Sequence, residues 1–172
     1  MRLIGLDPGL QVTGWGIIEA EGNRLSYVGC GVVTSEARLS LAERLTMLHA
    51  GILDVLKRYA PDEAAVEETF VNRNPTSTLK LGQARGVVML APALMGLPVA
   101  EYPPNLIKKT VVGTGHAAKP QVGLMVRALL PGADPQAADA ADALAVAICH
   151  ARYRASGQTL EQAIRRAEGG RR

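Results

Sequence analysis

A chain of 172 residues with 48% hydrophobic and 20% charged residues has material for one compact domain with a core, and too little for two. Aromatics at 3% leave that core to Leu, Val, Ile and Ala, and a net charge of +3 hints at a polyanionic partner without demanding one. Cys30 and Cys149 match no metal or redox spacing and are expected as buried thiols. The N-terminal residues carry no secretory pattern and no apolar run approaches about 18 residues, so a cytoplasmic chain without a membrane span is expected.

The first element is RLIGLD (2–7), a short apolar strand closed by Asp7 and broken by Pro8-Gly9, a dipeptide suited to the centre of a type II turn. VTGWGIIEA (12–20) and LSYVGCGVVTS (25–35) are β-rich and separated by the turn-prone EGNR, so an antiparallel meander of three strands is expected. Residues 40–60 carry a helical stripe of Leu41, Leu45, Leu48, Ile52, Val55 and Leu56. Ser40 and Glu43 form a capping box at the start, and Pro61 follows the end. EAAVEETFV (63–71) reads as a buried strand, 75–96 as a second helix, and LPVAEYP (97–103) as a further strand. Residues 104–113 read as a short helix, and 119–130 as a firmer one with Pro120 in its first turn. The last helix is expected to open with Asp134 as N-cap and Pro135 at its first position, and to run on through PQAADAADALAVAICHA. The expected domain is 1–155, followed by a polar, disordered tail over 156–172.

This order of elements is an α/β domain, a mixed five-stranded sheet flanked by helices, with the first strand at its centre. Asp7 would then end one strand and Glu67 or Glu68 its parallel neighbour, at the edge where α/β sites form. Asp139 and Asp142 are three apart and share one helical face, in a helix whose alanines would let it approach the sheet closely. Carboxylates gathered in one cleft repel one another unless divalent cations bind there. A donor set of oxygen alone, without His or Cys, suits Mg²⁺ or Mn²⁺. Two such ions bridged by a carboxylate serve phosphodiester hydrolysis.

The segments IGLDPGLQVTGWG, AVEETF, LKLGQARGVV, KKTVVGTGHAAKPQV and PQAADAADALAVAI resemble, in this order, those of the RuvC family of Holliday junction resolvases. The resemblance covers about Met1 to His150. It implies a ribonuclease-H-like fold and a homodimer that cuts four-way junction DNA by paired symmetric nicks with two Mg²⁺ per site, Mn²⁺ substituting. It also implies recombination and repair as the setting, with a branch-migration complex of RuvA and RuvB as partner. The family's acidic positions fall on Asp7, Glu67, Asp139 and Asp142; the choice of Glu67 over Glu68 follows from the family spacing of Val66, Glu67 and Phe70. Lys108 and Lys119 match family positions near the scissile phosphate, and Phe70 matches an aromatic that unstacks bases at the branch point. Arg73, Lys80 and Arg85 are further candidates for the DNA backbone. Two divalent cations would add about four charges to the chain and strengthen its hold on phosphates.

Two other readings are open to test. The segment LDPGLQVTGWG also resembles the phosphate turn of actin-like and sugar-kinase ATPases, whose two-domain folds are far longer than this chain. A junction-binding scaffold that keeps the fold without the chemistry would have no need of four intact acids. The helix over 75–96 is the candidate dimer interface, with Gly82 and Gly86 for close approach and Leu79, Val87 and Met89 as apolar surface.

Overall fold

The protein, described here from a computed structural model, is defined over residues 1–68 and 74–157. Three antiparallel strands come first: β1 (Arg2–Asp7), β2 (Val12–Glu21) and β3 (Arg24–Thr34). They are followed by α1 (Leu41–Tyr59), β4 (Glu63–Glu67), α2 (Pro75–Leu94), β5 (Val99–Tyr102), α3 (Pro104–Val112), α4 (Lys119–Leu129) and α5 (Ala138–Ala155). The sheet order is β3-β2-β1-β4-β5, with β1 antiparallel to β2 and parallel to β4, and β4 parallel to β5. The mixed five-stranded sheet with a central first strand is therefore the one the element order implies.

Strict alternation along β1 builds two cores. Ile4 and Leu6 point with Ile17, Ala64 and Val66 toward α1 and α2, where Ile52, Val55, Leu56, Val88 and Ala91 cover them. Leu3 points with Ile18 and Ala65 to the opposite face, against α3, α4 and α5. On that second face the sheet is unusually bare. A Cβ at Gly5 would strike Ala143 O and the Ala147 backbone, one at Gly14 would strike Asp139 O, and one at Gly16 would lie 2.8 Å from Leu144 N. These three glycines, with Ala140, Ala143 and Ala147 opposite, bring α5 onto the backbone of β1 and β2. The alanine half of this contact was legible in the sequence. The glycine half was hidden inside strands.

At the helix ends, the capping box of α1 is present: Ser40 N donates to Glu43 Oε2 at 2.8 Å, and Glu43 N to Ser40 Oγ at 3.4 Å. The last helix starts later than expected. Asp134 does not cap it, because its carboxylate accepts from Gln136 Nε2 at 2.7 Å, and Pro135 lies before the helix. Ala137 is the N-cap instead, without a side-chain hydrogen bond. The type II turn at Pro8-Gly9 is also corrected: Gly9 does not take the positive φ that such a turn needs. A longer link joins β1 to β2, held by Thr13, whose hydroxyl accepts from Gly9 N at 3.2 Å and donates to Gly9 O at 2.8 Å. Cys149 is buried and its thiol is pushed up to about 12 by that burial, whereas Cys30 is only half-buried. Among the described residues, no helix is long and apolar enough to cross a membrane. The strand expected over 63–71 ends at Glu67, and residues 69–73 and 158–172 lie outside the described residues.

Candidate active site

The parallel pairing of β1 and β4 runs in register from Leu3–Glu63 to Leu6–Val66, so the next residues on each strand, Asp7 and Glu67, end side by side. Both are in phase with Leu3 and Ala65, and so face α5 rather than α1. This alternation separates Glu67 from Glu68, which the buried run of β4 alone did not. Glu68 lies past the strand end, where its backbone N donates to Tyr102 O at 2.9 Å.

The first turns of α5 cross this edge because Gly14, the register partner of Asp7 on β2, lets the Asp139 carbonyl come down onto the sheet. Asp142 follows one turn on. Together Asp7, Glu67 and Asp142 line a cleft of about 130 Å³, closed by Lys108 of α3, Lys119 of α4 and the apolar Pro104, Ile107, Val122 and Ala145. Asp139 stands outside that lining but close enough for its charge to act on Asp7. The apolar lining was missed in the sequence, since its members come from three separate helices.

Burial is the first cause that raises Asp7, to about 8, with the charges of Glu67, Asp142 and Asp139 adding to it. Glu67 is raised as well, by burial first; Lys119 and Lys108 pull it the other way. Asp7 and Glu67 share a hydrogen bond, and Lys119 Nζ donates to Asp142 Oδ2 at 3.0 Å. That contact raises the Lys119 ammonium. The proton on Asp7 and the Lys119 ammonium thus offset part of the charge of the cluster. Among the described residues, no three acidic, imidazole or thiol groups already stand close enough to ligate one ion.

The residue types nevertheless fit hard divalent cations. Every donor is a carboxylate oxygen, and an aspartate raised to about 8 by burial first and by its acidic neighbours after is a place where added positive charge is strongly favoured.

Of the other candidates, Lys80 is exposed on the first turns of α2. Arg85 is engaged within the chain: its guanidinium pairs with Glu101 and its Nε donates to Glu67 O at 3.2 Å, bracing the end of β4 from behind. Phe70 and Arg73 lie outside the described residues. Gly113 serves α3, capping it with φ 94° and donating to Lys109 O at 2.9 Å, while His116 is exposed in the loop that follows.

Residues 3–150 match the model of the family described as crossover junction endodeoxyribonuclease RuvC. A protein of that name from Rhodospirillum rubrum is 70% identical over 171 residues, covering 99% of this chain and all of the relative. The Thermus thermophilus RuvC structure in complex with a Holliday junction substrate superposes with a TM-score of 0.84 at 37% identity, over 91% of this chain and 96% of that one. A yeast mitochondrial Holliday junction resolvase, at 9% identity and a TM-score of 0.64, shares the fold.

Proposed function

Because the chain belongs to the RuvC family of crossover junction endodeoxyribonucleases, it is a structure-selective endonuclease of four-way DNA junctions, and we propose that it cuts at the cleft of Asp7, Glu67 and Asp142. The observation that carries this reading is the convergence of carboxylates from three separate elements, one of them raised to about 8, beside two lysines. Asp7, Glu67, Asp139 and Asp142 would hold two Mg²⁺, or Mn²⁺ in their place. When bound, such cations supply charge to the scissile phosphate and lower the pKa of the attacking water.

The remaining steps belong to the chain. Asp7 and Glu67 give up their shared proton as the cleft is loaded, and the rigid ends of β1 and β4 fix where the charge sits. Lys119 lets go of Asp142 and turns its ammonium to the phosphate, where with Lys108 it offsets the negative charge that grows in the transition state. Ile107, Val122 and Ala145 keep one wall apolar, which strengthens the electrostatics inside.

The family resemblance supports roles for further residues and partners. Phe70 would enter the branch point as an apolar wedge, and Arg73 and Lys80 would follow the backbone, Arg85 acting from its place behind Glu67. A homodimer would bring two sites to the junction for paired nicks, with the RuvA–RuvB complex as partner in the cytoplasm. Residues 1–155 would form the nuclease domain and 156–172 a polar tail. Incubating the protein with a synthetic four-way junction tests the function: symmetric, ligatable nicks with Mg²⁺ and none in chelator are expected. ATP turnover without junction cleavage, or metal-independent nicking, would refute it.

A further inference from the structure

The acidic cleft does not end at Lys119. A second groove, of about 440 Å³, shares Lys119 and Asp142 with the cleft and runs on between α4 and the start of α5. Its α4 wall is made by Lys119, Gly123 and Arg127, at positions i, i+4 and i+8, and therefore on one stripe of the helix. Its other wall is the turn around Pro135 and the alanines Ala138 and Ala141. The groove is thus a smooth track with a cation at each end and a glycine between them.

The charges around this track are already settled, with one exception. Asp142, the acid that lines it, is held by Lys119, and Asp134 just outside it is held by Gln136. Arg127 is exposed and, among the described residues, has neither an ion-pair nor a hydrogen-bond partner. Its guanidinium lies back along α4, with Nη1 3.8 Å from where a Cβ of Gly123 would stand. A larger residue at 123 would narrow the track beside it. A planar fork of donors at the end of a groove that opens into a phosphodiesterase site suits a phosphate oxygen pair.

We infer that this groove is a second phosphate subsite, in which Arg127 binds the backbone of the cleaved strand beyond the scissile phosphate and sets the register of that strand in the cleft. The inference rests on the nuclease reading and adds a positioning residue to it. Eight residues of helix separate Lys119 from Arg127 by about 12 Å. At about 3.4 Å of rise per nucleotide in duplex, and longer steps in an unstacked strand, that places the contact two to four phosphates from the cut.

The test replaces single phosphates of a four-way junction by neutral methylphosphonates, at each position within five nucleotides of the cut. Binding is measured in chelator for the unsubstituted protein, Arg127→Ala and Arg127→Lys. The unsubstituted protein is expected to lose about tenfold in affinity at one position two to four phosphates from the cut. Arg127→Ala should lose a similar amount on the unmodified junction and show no further loss at that position. Its salt slope should fall by about one, and Arg127→Lys should recover part of the loss. With Mg²⁺, the nicks made by Arg127→Ala should spread to neighbouring bonds. The melting temperature should hold, because the side chain is exposed. Equal losses from the methylphosphonate at that position in both proteins, or an unchanged scan for Arg127→Ala, would overturn the subsite. Failure of the unsubstituted protein to cut the junction at all would refute the nuclease reading itself, and the binding scan distinguishes the two.

Discussion

Asp7 carries the sharpest consequence at the scale of single residues. Its carboxyl is raised from 3.8 to about 8, so between those values the folded, metal-free protein holds a proton that the unfolded chain has released. The contribution of Asp7 to stability must then fall as pH rises from about 4 to about 8, and level off above. The expected outcome is a metal-free melting temperature higher at pH 5 than at pH 8, with Mg²⁺ closing the gap at pH 8. Asp7→Asn should flatten most of this slope; a slope unchanged by that substitution would contradict the assignment. For cleavage, Asp7→Asn, Glu67→Gln, Asp139→Asn and Asp142→Asn should each remove most activity while junction binding largely persists, since affinity comes chiefly from basic groups. Glu68→Gln, beyond the strand end, should be mild. Quantitative gel assays of nicking and binding check these together, and two or more near-native rates among the four would discredit the site. Phe70→Ala should impair junction cleavage with little change in melting temperature, and a loss of ~3–5 kcal/mol would return the ring to the core.

Between elements, the decisive contact is α5 on the glycine face of β1 and β2. Asp139 comes near the cleft because Gly14 leaves room for its carbonyl, so Gly14→Ala should lower cleavage by displacing the start of α5. Overpacking of this kind costs about 1–3 kcal/mol, read as a shift in the denaturation midpoint alongside the cleavage rate. A Gly14→Ala protein as stable and active as the original would show that α5 has slack there. The sequence made the helix legible through its alanines and acids, and the sheet order through the position of the first strand. It could not show which glycines lie opposite, because a glycine in a strand reads equally as a weak position or a bulge. Nor could it show that Asp134 would prefer the Gln136 amide to a capping role, since a carboxylate before a helix suits either. The far end of α5 was equally hidden. His150 Nδ1 lies 2.8 Å from Tyr102 Oη, and its Nε2 2.9 Å from Glu63 Oε2, which Arg154 also holds at 2.7 Å. That network fastens α5 to β4 and β5, and it is built from residues 63 to 154, too far apart in sequence to read as one unit.

For the molecule as a whole, α2 presents the feature that asks for a partner. Its inner face is Ala84, Val88, Ala91 and Pro92, while Leu79, Leu90 and Leu94 are 66%, 50% and 70% exposed on the other side. Among the described residues nothing lies within 4 Å of a Cβ built on Gly82 or Gly86, whereas Met89 packs inward and Leu90 and Leu94 take the outward place assigned to it. A second copy of the chain on this stripe would set two clefts at one junction. Leu90→Glu should therefore give a monomer by sedimentation whose nicks are single and uncoupled, with each cleft intact. One acidic cleft per chain, loaded with cations, would then cut a junction as one of a symmetric pair. Coupled cutting of this kind is read from the product distribution of a supercoiled cruciform plasmid, whose relaxation after a first nick destroys the junction. With Mg²⁺, linear, ligatable product formed by two cuts within the lifetime of one complex is expected. Nicked circles as the lasting product, or linear product that survives Asp7→Asn, would contradict it.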